Sequence, residues 1–390
     1  MQPRFSDRTC WDTTETELAR ELADRRLQRQ PIIDLTASNP THCGFNYDEA
    51  ALLAALQHPD SLQYDPDPRG IRSAREAVAR YYAERRADVS ADQLLLTTST
   101  SEAYSFLFRL LCNAGDEVLI AQPSYPLFDF LAQLEDVRLV PYHLFYDHGW
   151  QTDIASLREQ ITPRTRAIAV VHPNNPTGHF TSDAERHELE QICAEHGLAL
   201  IVDEVFLDYP MPGHSGSSFA TGDHPALTFV LSGLSKIAAL PQMKAAWIAG
   251  FGPGLEEAMA RLEIVADTFL SMNAPIQNAL PAWLANCGDL QRQIRDRVAG
   301  NLGILDQTLA RQEMVSRLDV EAGWYAVLRV PALQHGEDLA SRLLRDEGVS
   351  IHPGYFFGFP GDGWVVCSLL AEPTDLAPGI AAICRVFSAV

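Results

Sequence analysis

The chain has 390 residues, 46% hydrophobic and 21% charged, a balance typical of globular proteins and long enough for two domains. Its formal net charge of −21 excludes nucleic acid and anionic membrane surfaces as general partners, because both call for clustered cations. Seven dispersed cysteines without a CxxC spacing, and twelve histidines without an HxxxH or HExxH pairing, point to reduced thiols in a cytoplasmic protein and to no metal site.

Read from the amino end, MQPRFSDRTCWDTTETELARELADRR has no apolar stretch of the signal-peptide kind, and no run of 18 apolar residues predicts a membrane span. Residues 11–29 read as an exposed helix with Thr13 or Thr14 as N-cap, and residues 72–86 as a helix with an apolar stripe. From about residue 93 the pattern becomes strand, turn, helix. Short continuous apolar runs at 94–97, 117–121, 166–171, 198–202 and 228–231 suit strands buried on both faces. A helical stretch covers about 254–312, after which GWYAVLRV, VSIHPGYFFG and GWVVCSLL alternate with helices. The prediction is an α/β fold, a mainly parallel sheet with helices on both faces, plus a smaller α+β C-terminal domain. The expected units are an N-terminal arm over 1–33 packing with the small domain, a large domain over 34–275, and a connecting helix with the small domain over 276–390.

Of the 30 Lys+Arg, only Lys236 and Lys244 are lysines. A position that stays lysine in so arginine-rich a chain is a candidate for needing an amine, since lysine can lose its proton and arginine cannot. Four polar clusters follow predicted strands, where doubly wound sheets collect ligands. Thr98-Ser99-Thr100-Ser101 is either a phosphate cradle or a plain helix cap. HPNNPTG at 172–178 is either a structural turn or a loop presenting two amides. Asp203-Glu204 places carboxylates at the end of a buried strand, which requires a buried partner. SGLSK at 232–236 carries the lysine.

These motifs together resemble the class I/II aminotransferases, fold-type-I enzymes dependent on pyridoxal 5'-phosphate (PLP). The resemblance rests on NNPTG at 174–178, DEVF at 203–206, SGLSK at 232–236 and PSYP at 123–126. YDPDPRGIRSAREAVARYY at 64–82 and HPGYFFG at 352–358 add to it. It implies amino transfer between an amino acid and a 2-oxo acid, with Lys236 as the catalytic Schiff-base lysine. Asp203 would pair with the pyridine nitrogen, Asn175 with O3′, and Tyr125 would stack on the ring. Ser99, Thr100, Ser101, Ser235 and Lys244 would hold the phosphate. Tyr64 would reach the phosphate of a neighbouring subunit, implying a homodimer with shared sites.

Three positions depart from the family pattern. Lys244 stands where an arginine is usual, and Phe206 where a tyrosine usually donates to O3′. Val366 stands where an arginine usually grips the substrate carboxylate, so Ser38, Asn39 and Arg8 become the substrate-binding candidates. That gap keeps a PLP-dependent lyase, decarboxylase or cyclase as the alternative. A non-catalytic regulator on the same fold is the reading from another class, and the acidic composition and the retained Lys236 and Asp203 speak against it.

Overall fold

The computed structural model describes residues 4–270 and 272–388; the outermost ends of the expected units, 1–3 and 389–390, lie outside them. Its centre is an eight-stranded sheet. After a short strand β1 (Ile33–Asp34), the chain supplies β2 (Leu94–Thr97), β3 (Glu117–Gln122), β4 (Arg138–Tyr146), β5 (Trp150–Thr152), β6 (Thr165–Val171), β7 (Ala199–Asp203), β8 (Thr228–Gly233) and β9 (Ala246–Phe251). Their spatial order is β2-β9-β8-β7-β6-β3-β4-β5. The pairs β4·β3, β3·β6, β6·β7 and β7·β8 are parallel, whereas β9 runs antiparallel to both neighbours and β5 antiparallel to β4.

The continuous apolar runs are sorted by the two-residue period of a strand. Leu94, Leu96, Leu119, Ile168, Val170, Val202 and Val230 enter one core cluster with Ala74, Val78, Leu189 and Ile192 from the helices Arg72–Ala83 and Asp183–His196. Leu95, Val118, Ile120, Ala167, Ala169, Ile201, Phe229 and Leu231 enter the other, with Tyr104, Phe108, Phe128, Met259 and Leu262 from the helices Thr100–Leu111, Leu127–Leu134 and Leu255–Thr268. Both faces are therefore covered, as expected of runs without polar alternation.

Three strands of the large sheet, β4, β5 and β9, escape a search for apolar runs. β4 alternates exposed and buried residues and contains Pro141, because it lies next to the sheet edge and forms a hairpin with β5. β9, AWIAGF, is buried at every residue, yet its alanines and glycine make it look unlike a strand. Among helices, the first runs over Glu17–Leu27 with Thr16 as its cap, accepting from Ala19 N–H at 3.2 Å. Thr14 instead gives its own N–H to Asp12 Oδ1 in a local turn, which corrects both the expected start and the expected cap. The helix expected over 72–86 ends at Ala83. The stretch expected over 254–312 is three helices, Leu255–Thr268, Ala274–Asn286 and Gly288–Leu309, the second capped by Asn273.

The later chain forms a second, antiparallel sheet. It adds β10 (Ser316–Arg317), β11 (Tyr325–Arg329), β12 (Val349–Ser350), β13 (His352–Pro353) and β14 (Trp364–Ser368). Four of these assemble in the order β10-β11-β14-β13, while β12 pairs in parallel with β1. The first helix docks here through Arg345, which binds Glu17 and Glu21. Residues 5–12 of the arm go elsewhere: Trp11 bonds Gln133 and meets Phe130 edge-on, on the helix Leu127–Leu134. Among the described residues no helix is long and apolar enough to cross a membrane.

Candidate active site

Strand register decides which polar clusters meet. Thr97 at the end of β2 pairs with Ala246, which pairs on its other side with Gly233 at the end of β8. With strands about 4.8 Å apart, the segments 98–101 and 234–236 start about 10 Å from each other. Lys244 stands just before the strand between them. Asp203 ends β7, beside β8, and its carbonyl accepts the N–H of His172, which opens the next loop, at 2.8 Å. Gln122 ends β3 just before Tyr125. The carboxyl edge of the sheet thus gathers four clusters that are up to about 140 residues apart in sequence.

At its centre are a buried carboxylate, Asp203, and a half-buried lysine, Lys236, whose amine lies among aromatic rings. Burial pushes the Asp203 carboxyl up to about 6; Val205 N–H, donating at 3.1 Å, and the charge of Lys236 work against that rise. Burial brings the Lys236 amine down to about 8, opposed by Asp203. The amine lies 4.7 Å from the ring centroid of Trp324 and 5.5 Å from that of Phe206. The adjacent Glu204, pushed up to about 7 by burial, accepts from Ser218 Oγ at 2.7 Å and Phe219 N–H at 2.5 Å. It faces the loop behind the sheet edge and anchors it.

The loop 172–181 is held from several sides. His172 Nδ1 accepts from Thr181 N–H at 3.1 Å, which leaves Nε2–H to donate to Ser217 O at 3.2 Å. Burial lowers its pKa to about 3, so it is a neutral structural ring. Thr177 donates to Asn174 Oδ1 at 2.8 Å. Gly178 has φ +73°, and a Cβ there would meet the carbonyl oxygen of Ala322. Of the two asparagines, Asn174 is thereby spent on the loop, while buried Asn175 keeps an Oδ1 without a partner.

The remaining expected residues divide. Ser99 caps the helix Thr100–Leu111, accepting from Glu102 N–H at 3.1 Å, and Glu102 reaches back to Thr98 N–H at 2.6 Å. The capping reading of this cluster therefore holds for Ser99, and Thr100 and Ser101 open the helix beside it. Ser235 is half-buried in the one-turn helix Leu234–Ile237, and Lys244 is exposed at φ +51°. Tyr125 is 40% exposed and Tyr64 76% exposed. Ser38 neighbours Tyr325, and Asn39 Oδ1 accepts from Thr41 N–H at 3.1 Å. Val366 is fully buried in β14 between Val327 and His352. Arg8 is not brought to this site: it pairs with Asp136, which precedes β4 at the opposite edge of the sheet. Three residues not anticipated from sequence do belong here: Tyr104, whose buried hydroxyl lies near Asp203 without a close partner, Tyr209 and Trp324. Tyr209 carried one signal, its place three residues after Phe206; Trp324 carried none that local sequence reveals.

A model of the family described as aminotransferase class I and II matches residues 30–375. The glutamate-pyruvate aminotransferase AlaA of Escherichia coli K12 is 29% identical over 265 residues, 67% of this chain; the match spans 65% of that relative, under two thirds of its length. The alanine aminotransferase of Mycobacterium bovis is 30% identical over 368 residues, 90% of this chain and 84% of the relative. Among solved structures, an aminotransferase from Escherichia coli superimposes with a TM-score of 0.88 at 23% identity, over 100% of this chain and 99% of that one. An alanine aminotransferase from Pyrococcus furiosus does so with a TM-score of 0.88 at 23% identity, over 99% and 100%. Both show the same fold.

Two outcomes are expected of the site. Asp203 titrates near 3.8 when exposed and near 6 when folded, so its protonated form stabilises the cofactor-free fold below about pH 4, and that contribution is lost as pH rises through 6. The slope is about 1.4 kcal/mol per pH unit. Urea unfolding of the cofactor-free Asp203→Asn chain should therefore lose less stability than the parent between pH 4 and 6; parallel curves would refute the buried carboxylate. Gly178→Ala, forcing a Cβ against Ala322 O at positive φ, should cost about 1–3 kcal/mol in the same measurement.

Proposed function

This chain belongs to the class I and II aminotransferases, and from that membership we propose that it moves an amino group between an amino acid and a 2-oxo acid, with PLP held at Lys236. The observation that carries the reading is the pairing of a buried carboxyl near 6 with an amine near 8 that feels its charge, just past the carboxyl ends of adjacent parallel strands. The family is generally PLP-dependent, and the residues fit that group. Asn175 Oδ1, Tyr104 OH and Ser232 Oγ are buried polar atoms without a close partner, a pattern that calls for a ligand.

In this reading Asp203, ionised by a cationic partner, holds the pyridine nitrogen, and Asn175 holds O3′ without help from Phe206. Tyr125 offers its ring face. Thr100 and Ser101 with Ser99, Ser235 and Lys244 hold the phosphate, backed by the N–H groups that open the helix Thr100–Leu111. When bound, PLP supplies an electron sink conjugated to the substrate α-carbon. Lys236 Nζ, close to half-protonated near pH 8, can take and return a proton there. Ser38 and Asn39 are proposed to contact substrate. The named relatives are aminotransferases, which favours amino transfer over elimination, decarboxylation or cyclisation.

The homodimer is also part of the proposal, supported by Tyr64, which projects from the surface. So is the division into an arm over 1–33, a large unit over 34–275 and a small unit over 276–390, supported by one sheet lying within each of the latter two. A cytoplasmic setting is also proposed, supported by free cysteines such as buried Cys43, Cys193 and Cys367.

A single-turnover screen of amino donors, read by the visible absorbance of the loaded enzyme, tests the chemistry. At least one amino acid should convert the absorbance without releasing ammonia or carbon dioxide, and Lys236→Ala should lower turnover by about 10²–10⁴-fold or more. Release of either product in step with turnover would replace amino transfer with another reaction. For shared sites, co-expressing Tyr64→Ala with Lys236→Ala should restore about a quarter of parental activity through hybrid dimers; no recovery would place Tyr64 in its own subunit's site.

A further inference from the structure

The short helix carrying Lys236 ends in carbonyls that other parts of the chain hold by side chains. Tyr209 OH donates to Lys236 O at 2.5 Å, Gln291 Nε2 to Ile237 O at 2.9 Å, and Tyr47 OH to Ala239 O at 3.0 Å. Ala239 itself lies at φ +50°, so this turn does not rest in the conformation its own residues prefer. Tyr209 differs from the other two clamps because its ring also touches Trp324, the indole that meets the amine end of the lysine. Its ring meets Trp324 edge-on at 5.1 Å, and its carbonyl accepts from Gly323 N–H at 2.9 Å. Trp324 is fully buried, is fixed by Leu369 N–H on its carbonyl at 2.7 Å, and places its ring 4.7 Å from Lys236 Nζ. The contacts close a circuit: lysine backbone to Tyr209 hydroxyl, Tyr209 ring to indole, indole to lysine amine.

We propose that Tyr209 is a positioning residue that, through Trp324, sets where the Lys236 amine sits and therefore when it is protonated. The proposal deepens the reading of Lys236 as the catalytic lysine and rests on it for its functional meaning. A cation is stabilised by an aromatic face at this range, and an amine moved out from under the ring gains water instead. Burial already holds this amine below an ordinary lysine. Asp203, from the end of β7, is the charged group acting on it, with Tyr104 and Tyr125 facing that carboxylate; Trp324 and Phe206 pack against the amine uncharged, and Tyr209 backs the Trp324 ring.

The two-lysine composition makes the test direct. Trace acylation of the full, cofactor-free chain at a series of pH values, read by peptide mass, gives separate midpoints for Lys236 and for exposed Lys244, an internal reference. Tyr209→Phe removes only the hydroxyl and should raise the Lys236 midpoint by at least about half a pH unit, about threefold in the proton equilibrium, leaving Lys244 in place. Tyr47→Phe, which unclamps the same turn without touching the indole, should not. In a Trp324→Phe background the further effect of Tyr209→Phe should fall to less than half. A Tyr209→Phe midpoint equal to that of the parent or of Tyr47→Phe, or shifts that add in full, would overturn the proposal. Should Tyr209→Phe not fold, seen as both lysines titrating alike, Trp324→Phe alone must move the Lys236 midpoint, and an unmoved midpoint overturns it. Visible absorbance on loading the parent chain with PLP checks the underlying reading independently: its absence would sink the role of Lys236 while leaving the labelling result to stand or fall by itself.

Discussion

A buried carboxylate and an amine held partly out of water are each costly in a medium of low polarity, and across the site they relieve each other only in part. Asp203 stays above an ordinary carboxyl and Lys236 below an ordinary amine, although each works against the other's displacement. Much of the surrounding structure serves to keep them so. Strand ends bring the two residues to one edge, two helix-covered faces exclude water from below, and aromatic rings close over the amine.

The same constraint explains which loops are rigid. Asn175 can offer its amide because Asn174, His172 and Gly178 hold the loop on either side. Glu204 points away from the pair and secures the 217–219 segment, which in turn receives His172. Two carboxylates adjacent in sequence thus face different tasks, Asp203 acting on the Lys236 amine and Glu204 on the scaffold.

Much of this was readable before any coordinates. Five buried strands announce themselves because a strand covered on both faces leaves an unbroken apolar run, and Lys236 stands out in a chain whose other cations are nearly all arginine. What stayed hidden depends on distance in space. β9 carries alanine and glycine on a fully buried strand, and a Cβ at Gly250 would meet the tip of the Leu255 side chain; nothing local says so. Arg8 looked available as a substitute cation, yet its partner is Asp136, more than a hundred residues away on the far edge of the sheet. Trp324 reaches Lys236 from beyond the large sheet entirely, a contact that no spacing in the sequence encodes. Val366 sits where a guanidinium was anticipated, packed between neighbouring strands.

The stretch just before β11 is sewn to the large sheet's loops mainly by backbone, with Glu321 Oε2 adding one acceptor for Phe180 N–H at 2.6 Å. Gly178 O accepts from both Glu321 and Ala322, Glu321 O accepts from Met211, and Gly323 N–H donates to Tyr209 O. These bonds do not depend on side-chain identity. If the second sheet tilts as substrate enters and leaves, residues 321–323 must travel with the large sheet, and the pivot is displaced to the start of β11. Trp324 at that point is tied to both sheets, through Gly323 N–H to Tyr209 O on one side and through its own carbonyl to Leu369 N–H on the other, so the ceiling above the amine is where the two sheets are joined.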